Sequence, residues 1–261
     1  LLLGASAAAA ATAASSPAAT PSAEQLAYME SGLTMFIHFG VNTFGNETHE
    51  HNCDPADVQK RTPAAPCISA SAFDPEALDT DQWARAARDM GAYASVLTVK
   101  HEGGFCLWPT NQSAYSIRAS PFGKTGRDIV AEFVASCRKH GLRPGFYIAP
   151  TEDGWTMQQQ PKVNSSVFVA KELAMFRELL TGRYGDIERT WWDHYPFGCG
   201  MSAPGGFRSS CPKGSFPGAY AEVIAAVRSE APHLLITNGP DAANALDRSA
   251  EGNGYYPVWN T

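Results

Sequence analysis

The sequence predicts an α/β fold of the (β/α)8-like TIM barrel type. Short apolar runs alternate with stretches of helical period, which favours parallel strands joined by helical crossovers. Four apolar runs in succession also end in polar residues able to do chemistry, at His38, His101, Tyr147 and Asp193. In a parallel barrel the carboxyl ends of the strands meet in one pocket. The rival arrangement is an open doubly wound sheet, but no glycine-rich phosphate loop follows the first run.

The strands are predicted from apolar runs of four to eight residues. A long polar loop, residues 42–72, follows the first predicted strand, and its Pro, Cys and His content indicates irregular structure. The chain ends directly after an apolar run, with too few β/α units to close eight strands, so the barrel is predicted to be truncated before closure. The predicted strands are residues 33–39, 93–100, 143–149, 187–192 and 234–237, with a sixth beginning at 255–259.

The helices are predicted from apolar residues recurring every three or four positions. Trp83, Ala87 and Met90 share one face of the first helix. Thr125 is predicted as the N-cap of the second helix, with Asp128 as its capping-box partner, and Gly141 stops that helix. Ile129, Val130, Phe133, Val134 and Cys137 form its buried stripe. The predicted helices cover residues 81–90, 125–141, 166–183 and 219–229.

Composition and charge narrow the possible partners. The 261 residues carry a formal net charge of -6 with a pI near 5.6 and no Lys/Arg cluster, so nucleic acid and anionic membranes are poor partners. With 44% hydrophobic residues a packed core is expected. Residues 1–23 are predicted to be a signal-peptide remnant with an Ala-rich segment. Residues 24–261 then form a partial catalytic barrel domain.

Cysteines and glycosylation sequons predict export to a secreted, extracellular or lysosome-like compartment. Cysteines that bracket Pro/Gly-rich loops are expected to form local disulfides, and the other two to be buried thiols. Acceptor sequons on the chain predict a glycoprotein. The expected pairs are Cys53/Cys67 and Cys199/Cys211, the expected thiols are Cys106 and Cys137, and the sequons are at Asn46, Asn111 and Asn164.

Asp193 has the setting of a glycosidase nucleophile. It ends an apolar run beside Trp191 and Trp192, and aromatic faces bind the apolar face of a sugar while a carboxylate attacks the anomeric carbon. Alternatively, Asp193 pairs with a nearby base such as Arg189. A retaining enzyme needs a second carboxyl group about 5–5.5 Å away with a raised pKa. Glu251 and Asp241 are the candidates, and spacing does not choose between them.

The histidines allow more than one role. His38 and His101 could bind hydroxyl groups, bind a metal, or be hydrogen-bonded core residues. His49 and His51 form an H-x-H pair able to ligate zinc, but no third ligand accompanies them. The zinc interpretation therefore lacks the full ligand set that such sites use.

Residues 25–261 resemble the α-L-fucosidases of glycoside hydrolase family 29. The resemblance rests on an ordered series of motifs and is greatest to the subgroup that removes fucose linked α-1,3 or α-1,4 to N-acetylglucosamine. The matching motifs are MFIHFGVNTF (35–44), FDP (73–75), DTDQW (79–83), LTVKHEGGFCLWPT (97–110), residues 123–147, WD (192–193), NGPD (238–241) and YPVWNT (256–261).

This resemblance implies a fold, a reaction and site residues. The implied reaction is retaining hydrolysis through a covalent fucosyl-enzyme, on a fucosylated oligosaccharide or glycoprotein glycan. Asp193 would be the nucleophile and Glu251 the acid/base, with Asp241 as the alternative. His38 and His101 would bind fucose hydroxyls, and Tyr147 and Trp191 would line the same pocket. No metal and no organic cofactor is implied. The chain is expected to lack the β-sandwich that follows the barrel in the family.

Two departures from the family pattern favour a second hypothesis about the function. Glu102 stands where the family has a second histidine, and Ser249-Ala250 precede Glu251 in place of the family's Gly-Asn. A carboxylate near Asp193 would raise the pKa of the nucleophile. The alternative function is therefore a catalytically inactive relative that binds fucose. The sequence does not indicate an oligomeric state.

Overall fold

The computed structural model describes residues 23–45, 68–101, 103–149, 165–192 and 216–237. Five strands form one sheet in the order β1-β2-β3-β4-β5, and every neighbouring pair is parallel. This confirms the parallel α/β fold. Strands that follow chain order belong to a barrel-type winding, whereas a doubly wound sheet reverses at a switch point. The strands are β1 (Thr34–Ile37), β2 (Ala94–Lys100), β3 (Arg143–Ile148), β4 (Arg189–Trp192) and β5 (Leu235–Thr237).

The four predicted helices are present, with their ends shifted by a few residues, and two further helices were not predicted. Three short 3-10 turns, Val41–Phe44, Ala70–Ala72 and Ile117–Ala119, lie in the connections. No helix in the part of the chain that the structure describes is long and apolar enough to cross a bilayer. In chain order the helices are α1 (Ala23–Glu30), α2 (Thr80–Asp89), α3 (Pro121–Lys124), α4 (Ile129–Lys139), α5 (Ser165–Leu180) and α6 (Phe216–Glu230).

The N-cap of α4 is Asp128, so the prediction of Thr125 was wrong. Thr125 is instead the C-cap of the short α3, and the chain turns at Gly126, where φ is +81°. The Asp128 carboxylate accepts hydrogen bonds from the backbone N–H groups of Val130 and Ala131, each at 3.1 Å. A carboxylate suits this place because the unpaired N–H groups carry partial positive charge. The predicted stripe of α4 is buried throughout.

Met90 does not share the buried face of α2, which corrects a second prediction. Its side chain is 51% exposed, whereas Ala84 and Ala87 are buried and Trp83 packs against the core. The helix ends at Asp89, and Met90 is the C-cap residue with φ −82° and ψ 1°. Helical period therefore no longer decides where its side chain points.

The strands alternate their side chains between two faces of the sheet. On the outer face, Leu97, Phe146 and Trp192 belong to the main core that also includes α4 and α5. On the opposite face, which we call the inner face, Val96, Tyr147 and Ala149 form a separate small cluster against Trp191. The inner face is the one that carries the candidate site.

Arg189 anchors a polar network at the amino ends of the strands, on the inner face. Its guanidinium donates to Glu188 Oε2 at 2.7 Å, to Tyr93 Oη and to Thr34 Oγ1 at 3.2 Å. It also lies 4.3 Å from the ring centroid of Tyr28. The Arg189 side chain is only 4% exposed, and burial lowers its pKa to about 10, so it remains charged at neutral pH. This region is referred to below as the amino-end network.

Gly145 makes room for that network. A methyl group on its Cα would lie 2.7 Å from Arg189 Cγ and 3.0 Å from Val96 Cγ2. These distances are shorter than carbon–carbon contact allows. The absence of a side chain on β3 thus lets the Arg189 stem cross the inner face.

The export predictions are tested only in part. Cys106 and Cys137 are buried thiols, as predicted, and burial raises the pKa of Cys137 to about 12. Asn111 is exposed at the surface. The two disulfides, glycosylation and the leader stay predictions. The residues on which they depend lie outside the described ones: Cys53, Cys67, Cys199, Cys211, Asn46, Asn164 and residues 1–22.

Candidate functional site

The four sequence-predicted sugar ligands lie together at the carboxyl ends of β1 to β4. The ring centroids of His38 and His101 are 4.7 Å apart. His101 stacks on Tyr147 at 5.6 Å with an interplanar angle of 24°, and Tyr147 meets Trp191 at 6.2 Å. The rings therefore form one continuous row across four strands. We call this row the aromatic row.

Phe36 lies under the aromatic row and was not predicted as a site residue. Its ring centroid is 5.5 Å from both Tyr147 and Trp191 and 6.3 Å from His38. The ring is 40% exposed although it lies within a strand of the sheet. Its place two residues before His38 was the available signal, because residues i and i+2 of a strand share a face.

A β-bulge in β2 turns His101 toward the aromatic row. Thr98 pairs with Tyr147, but the next pair is Lys100 with Ile148, so Val99 is an extra residue in β2. Without this shift, strict alternation would put Lys100 on the inner face and His101 on the outer face. The extra residue reverses that assignment. Bulges commonly re-aim side chains beside active sites.

Lys100 consequently lies in the layer between the sheet and α5. Its ammonium donates to the carbonyl of Ala149 at 3.1 Å and lies 3.5 Å from the Glu172 carboxylate. Both side chains are almost completely buried, at 0% and 2% exposure. A buried ion pair needs both partners, since either charge alone in the core is costly. The pair thus holds the bulged end of β2 beside the end of β3.

Glu178 of α5 fixes the segment that follows His101. Its carboxylate accepts hydrogen bonds from Trp108 Nε1 at 2.8 Å, Thr110 Oγ1 at 2.6 Å and the Asn111 backbone N–H at 3.1 Å. Burial alone would raise the pKa of Glu178, but these hydrogen bonds outweigh it and the pKa is lowered. The ionised carboxylate therefore ties the loop after β2 to a helix.

The aromatic row can bind a sugar ring. Its rings supply flat apolar faces, while imidazole, phenol and indole groups supply hydrogen bonds to hydroxyl groups. Among the residues that the structure describes, no three His, Cys, Asp or Glu side chains lie together as metal ligands.

The predicted catalytic pair, Asp193 and Glu251, lies outside the residues that the structure describes. The same is true of the alternative acid/base Asp241, of Glu102 and of the two loop histidines, His49 and His51. Arg189, weighed above as a partner for Asp193, contacts Glu188 in the amino-end network.

A protein-family model described as alpha-L-fucosidase matches residues 5–197. The chain belongs to the alpha-L-fucosidase family. All four residues of the aromatic row fall inside the matched region. The family assignment and the site geometry thus rest on the same part of the molecule.

Curated relatives in the alpha-L-fucosidase family come from plants and animals. The chain is 33% identical to alpha-L-fucosidase 1 of Arabidopsis thaliana over 173 residues, which is 66% of this chain and 30% of the relative. It is 39% identical to the tissue alpha-L-fucosidase of Mus musculus over 83 residues, or 32% of this chain and 17% of that protein. The chain therefore spans less than a third of the length of these two relatives.

Among solved structures, one glycoside hydrolase has a similar fold. A glycoside hydrolase 29 family member from an unknown rumen bacterium superimposes with a TM-score of 0.64 at 28% identity. The match covers 84% of this chain and 36% of that structure. It agrees with the parallel α/β fold described above.

Proposed function

We propose that this alpha-L-fucosidase family member is a retaining hydrolase of α-L-fucosides. The observation that carries the proposal is the aromatic row, in which His38, His101, Tyr147 and Trp191 lie on one face at the carboxyl ends of consecutive strands. In barrel enzymes this end of the sheet holds the active site. Family membership supplies the sugar, because the relatives are fucosidases by name.

The proposed reaction proceeds by double displacement. Asp193 directly follows Trp192, whose side chain is on the outer face, so alternation predicts the inner face for Asp193. Its carboxylate attacks C1 of fucose while Glu251 protonates the departing glycosidic oxygen. A covalent fucosyl-enzyme results. Glu251 then takes a proton from water, and the hydroxide oxygen displaces Asp193 from C1.

The proposed substrate is fucose linked α-1,3 or α-1,4 in an oligosaccharide or glycoprotein glycan, encountered in a secreted or lysosome-like compartment. Support comes from the motif series at residues 35–44 and 97–110, which resembles the subgroup acting on those linkages. Asp241 is the other candidate for the acid/base.

The test is fucose release from an aryl α-L-fucoside and from a Lewis-type α-1,3/α-1,4 trisaccharide. Wild-type protein is compared with Asp193→Asn after circular dichroism confirms that both are folded. We expect release from both substrates by the wild type and a loss of at least about a thousandfold in the variant, as for removal of other catalytic nucleophiles. Undiminished hydrolysis by Asp193→Asn would exclude the proposed nucleophile.

A second candidate function is fucose binding without turnover. It is favoured by Glu102, which stands next to His101 where the family has a second histidine. A carboxylate there would raise the pKa of Asp193 and reduce the ionised fraction of the nucleophile. Under this alternative, calorimetry shows fucose binding while no product forms on either substrate. Any Asp193-dependent product eliminates it.

A further inference from the structure

Thr98 carries a buried hydroxyl group that makes no hydrogen bond in the structure. The residue is 2% exposed, and its Oγ1 has no partner. Most buried side-chain polar atoms in proteins are hydrogen-bonded, and leaving one unsatisfied destabilises the fold. The backbone of β2 is meanwhile paired with β1 and β3. The hydroxyl is therefore a buried group whose hydrogen-bonding capacity is unused.

This hydroxyl lies at the candidate site. Thr98 pairs laterally with Tyr147 of β3, so the two side chains share the inner face. Thr98 and His101 also line the same recess, which opens to solvent and is bordered by Gly40 and Asn42 after β1. The polar atom that lacks a partner is thus beside the rings of the aromatic row.

Thr98 is a short side chain among the larger rings of that row. It pairs with Tyr147 of β3, and Leu97, which precedes it, pairs with Ile37, which precedes His38. His101 contacts the rings of His38 and Tyr147, at 4.7 Å and 5.6 Å between centroids. The Thr98 hydroxyl is therefore close to side chains that are themselves predicted to bind the sugar.

From this arrangement we infer that Thr98 is a further substrate-binding residue, whose hydroxyl group pairs with one hydroxyl of the bound sugar. The inference rests on the proposed function. A threonine hydroxyl both donates and accepts, so it matches a sugar hydroxyl in either direction. Sites built to pair a substrate hydroxyl reject analogues that lack it, because the protein group is then left unsatisfied. Thr98 would accordingly determine specificity for one position of the fucose ring.

The inference predicts opposite effects on binding and on stability. Thr98→Val keeps the shape and removes the hydroxyl, so the variant no longer buries an unsatisfied polar atom. We expect its melting temperature to equal or exceed that of the wild type, while its affinity for L-fucose falls at least about tenfold. Thr98→Ser keeps the hydroxyl and is expected to retain affinity within about threefold. Thr190→Val, a buried position on the outer face of β4, is the matched control and should leave affinity unchanged.

The experiment is calorimetric titration of the full natural protein with L-fucose and with its 2-, 3- and 4-deoxy analogues. The loss caused by Thr98→Val should vanish against one deoxy sugar, namely the one that lacks the paired hydroxyl. Equal fucose affinity in Thr98→Val and the wild type would overturn the inference. So would an equal loss against every deoxy sugar, since that is an effect of shape alone.

Failure of the proposed function gives a different result. A wild type that binds fucose but does not hydrolyse fucosides contradicts the hydrolase proposal and leaves the Thr98 comparison intact. A wild type that binds no fucose contradicts both.

Discussion

The inner face of the sheet has two ends, and they use polar groups in opposite ways. At the amino ends of the strands, Arg189, Glu188 and Tyr93 satisfy one another within the protein. At the carboxyl ends, the Thr98 hydroxyl is buried without a partner. Satisfied polar groups stabilise a fold, whereas an unsatisfied one is available to a ligand. We therefore expect stability to depend on the amino end and binding on the carboxyl end, as in parallel β/α barrels.

The largest expected effect comes from removing the cation of the amino-end network. Arg189→Met removes the cation beside Glu188, whose side chain is 15% exposed and whose pKa is raised by burial to about 7. Breaking a fully buried pair costs about 3–5 kcal/mol, so we expect a loss of about 3 kcal/mol here. Urea unfolding should register that loss, while the affinity of the folded variant for L-fucose stays unchanged. Arg143→Met is the control, because Arg143 is 68% exposed and 3.7 Å from Glu188; it should cost less than about 1 kcal/mol. A large loss of fucose affinity in Arg189→Met would contradict the division between the two ends.

A smaller loss is expected at the glycine that makes room for Arg189. Gly145→Ala introduces a methyl group 2.7 Å from Arg189 Cγ, and overpacking of this kind costs about 1–3 kcal/mol. Thermal unfolding measures it. Gly40→Ala provides the comparison, because a methyl group there meets nothing within 4 Å and its φ of −175° suits any residue. Equal melting temperatures for the two variants would show that the network tolerates the added atom.

At the carboxyl end, His101→Phe should weaken sugar binding. The phenyl ring preserves contacts with His38 and Tyr147 but removes both ring nitrogens. Loss of a hydrogen bond to a sugar hydroxyl is expected to weaken fucose binding by about 1–2 kcal/mol, or roughly five- to thirtyfold. Calorimetry gives the affinity, and His101→Gln, which retains an N–H donor, should recover part of it. Unchanged affinity in His101→Phe would remove His101 from the binding site.

The smallest expected effect is at the surface, away from both ends. Asp81 accepts hydrogen bonds from Lys139 and His140, which lower the pKa of its carboxyl from 3.8 to about 2. A depressed pKa contributes stability above the unfolded value, and that contribution is lost as the pH falls from about 4 to about 2. Asp81→Asn should therefore have a lower melting temperature than the wild type at pH 5, with the difference closing near pH 2. Asp89→Asn is the control. A difference that persists at pH 2 would show that the charge of Asp81 is not its cause.

Much of the fold could be predicted because strand and helix periods are local properties of the sequence. The five strands and the stripe of α4 were found from periodicity alone. Helix ends were less certain, since Thr125 and Asp128 are both good caps and only the backbone turn at Gly126 decides between them. Met90 shows the same limit, because period has no meaning beyond the last helical residue.

The site was predictable where it depended on strand ends and not where it depended on register. His38, His101, Tyr147 and Trp191 were named from the family resemblance, and the structure brings them together. Thr98 and the Lys100–Glu172 pair were missed. No sequence pattern indicates the bulge at Val99. The register that turns His101 inward and buries Lys100 could therefore not be inferred from the sequence.

The extra residue in β2 bears on which lengths of this segment can be tolerated. Val99 is the residue that the pairing with β3 skips. Deleting it would therefore remove the bulge, and regular alternation from Thr98 would still leave Lys100 on the outer face and His101 on the inner face. Two spacings thus give the same arrangement: one residue between the threonine and the lysine with a bulge, or none without it. We expect homologous chains that keep the threonine, the lysine and the histidine to use one of these two spacings.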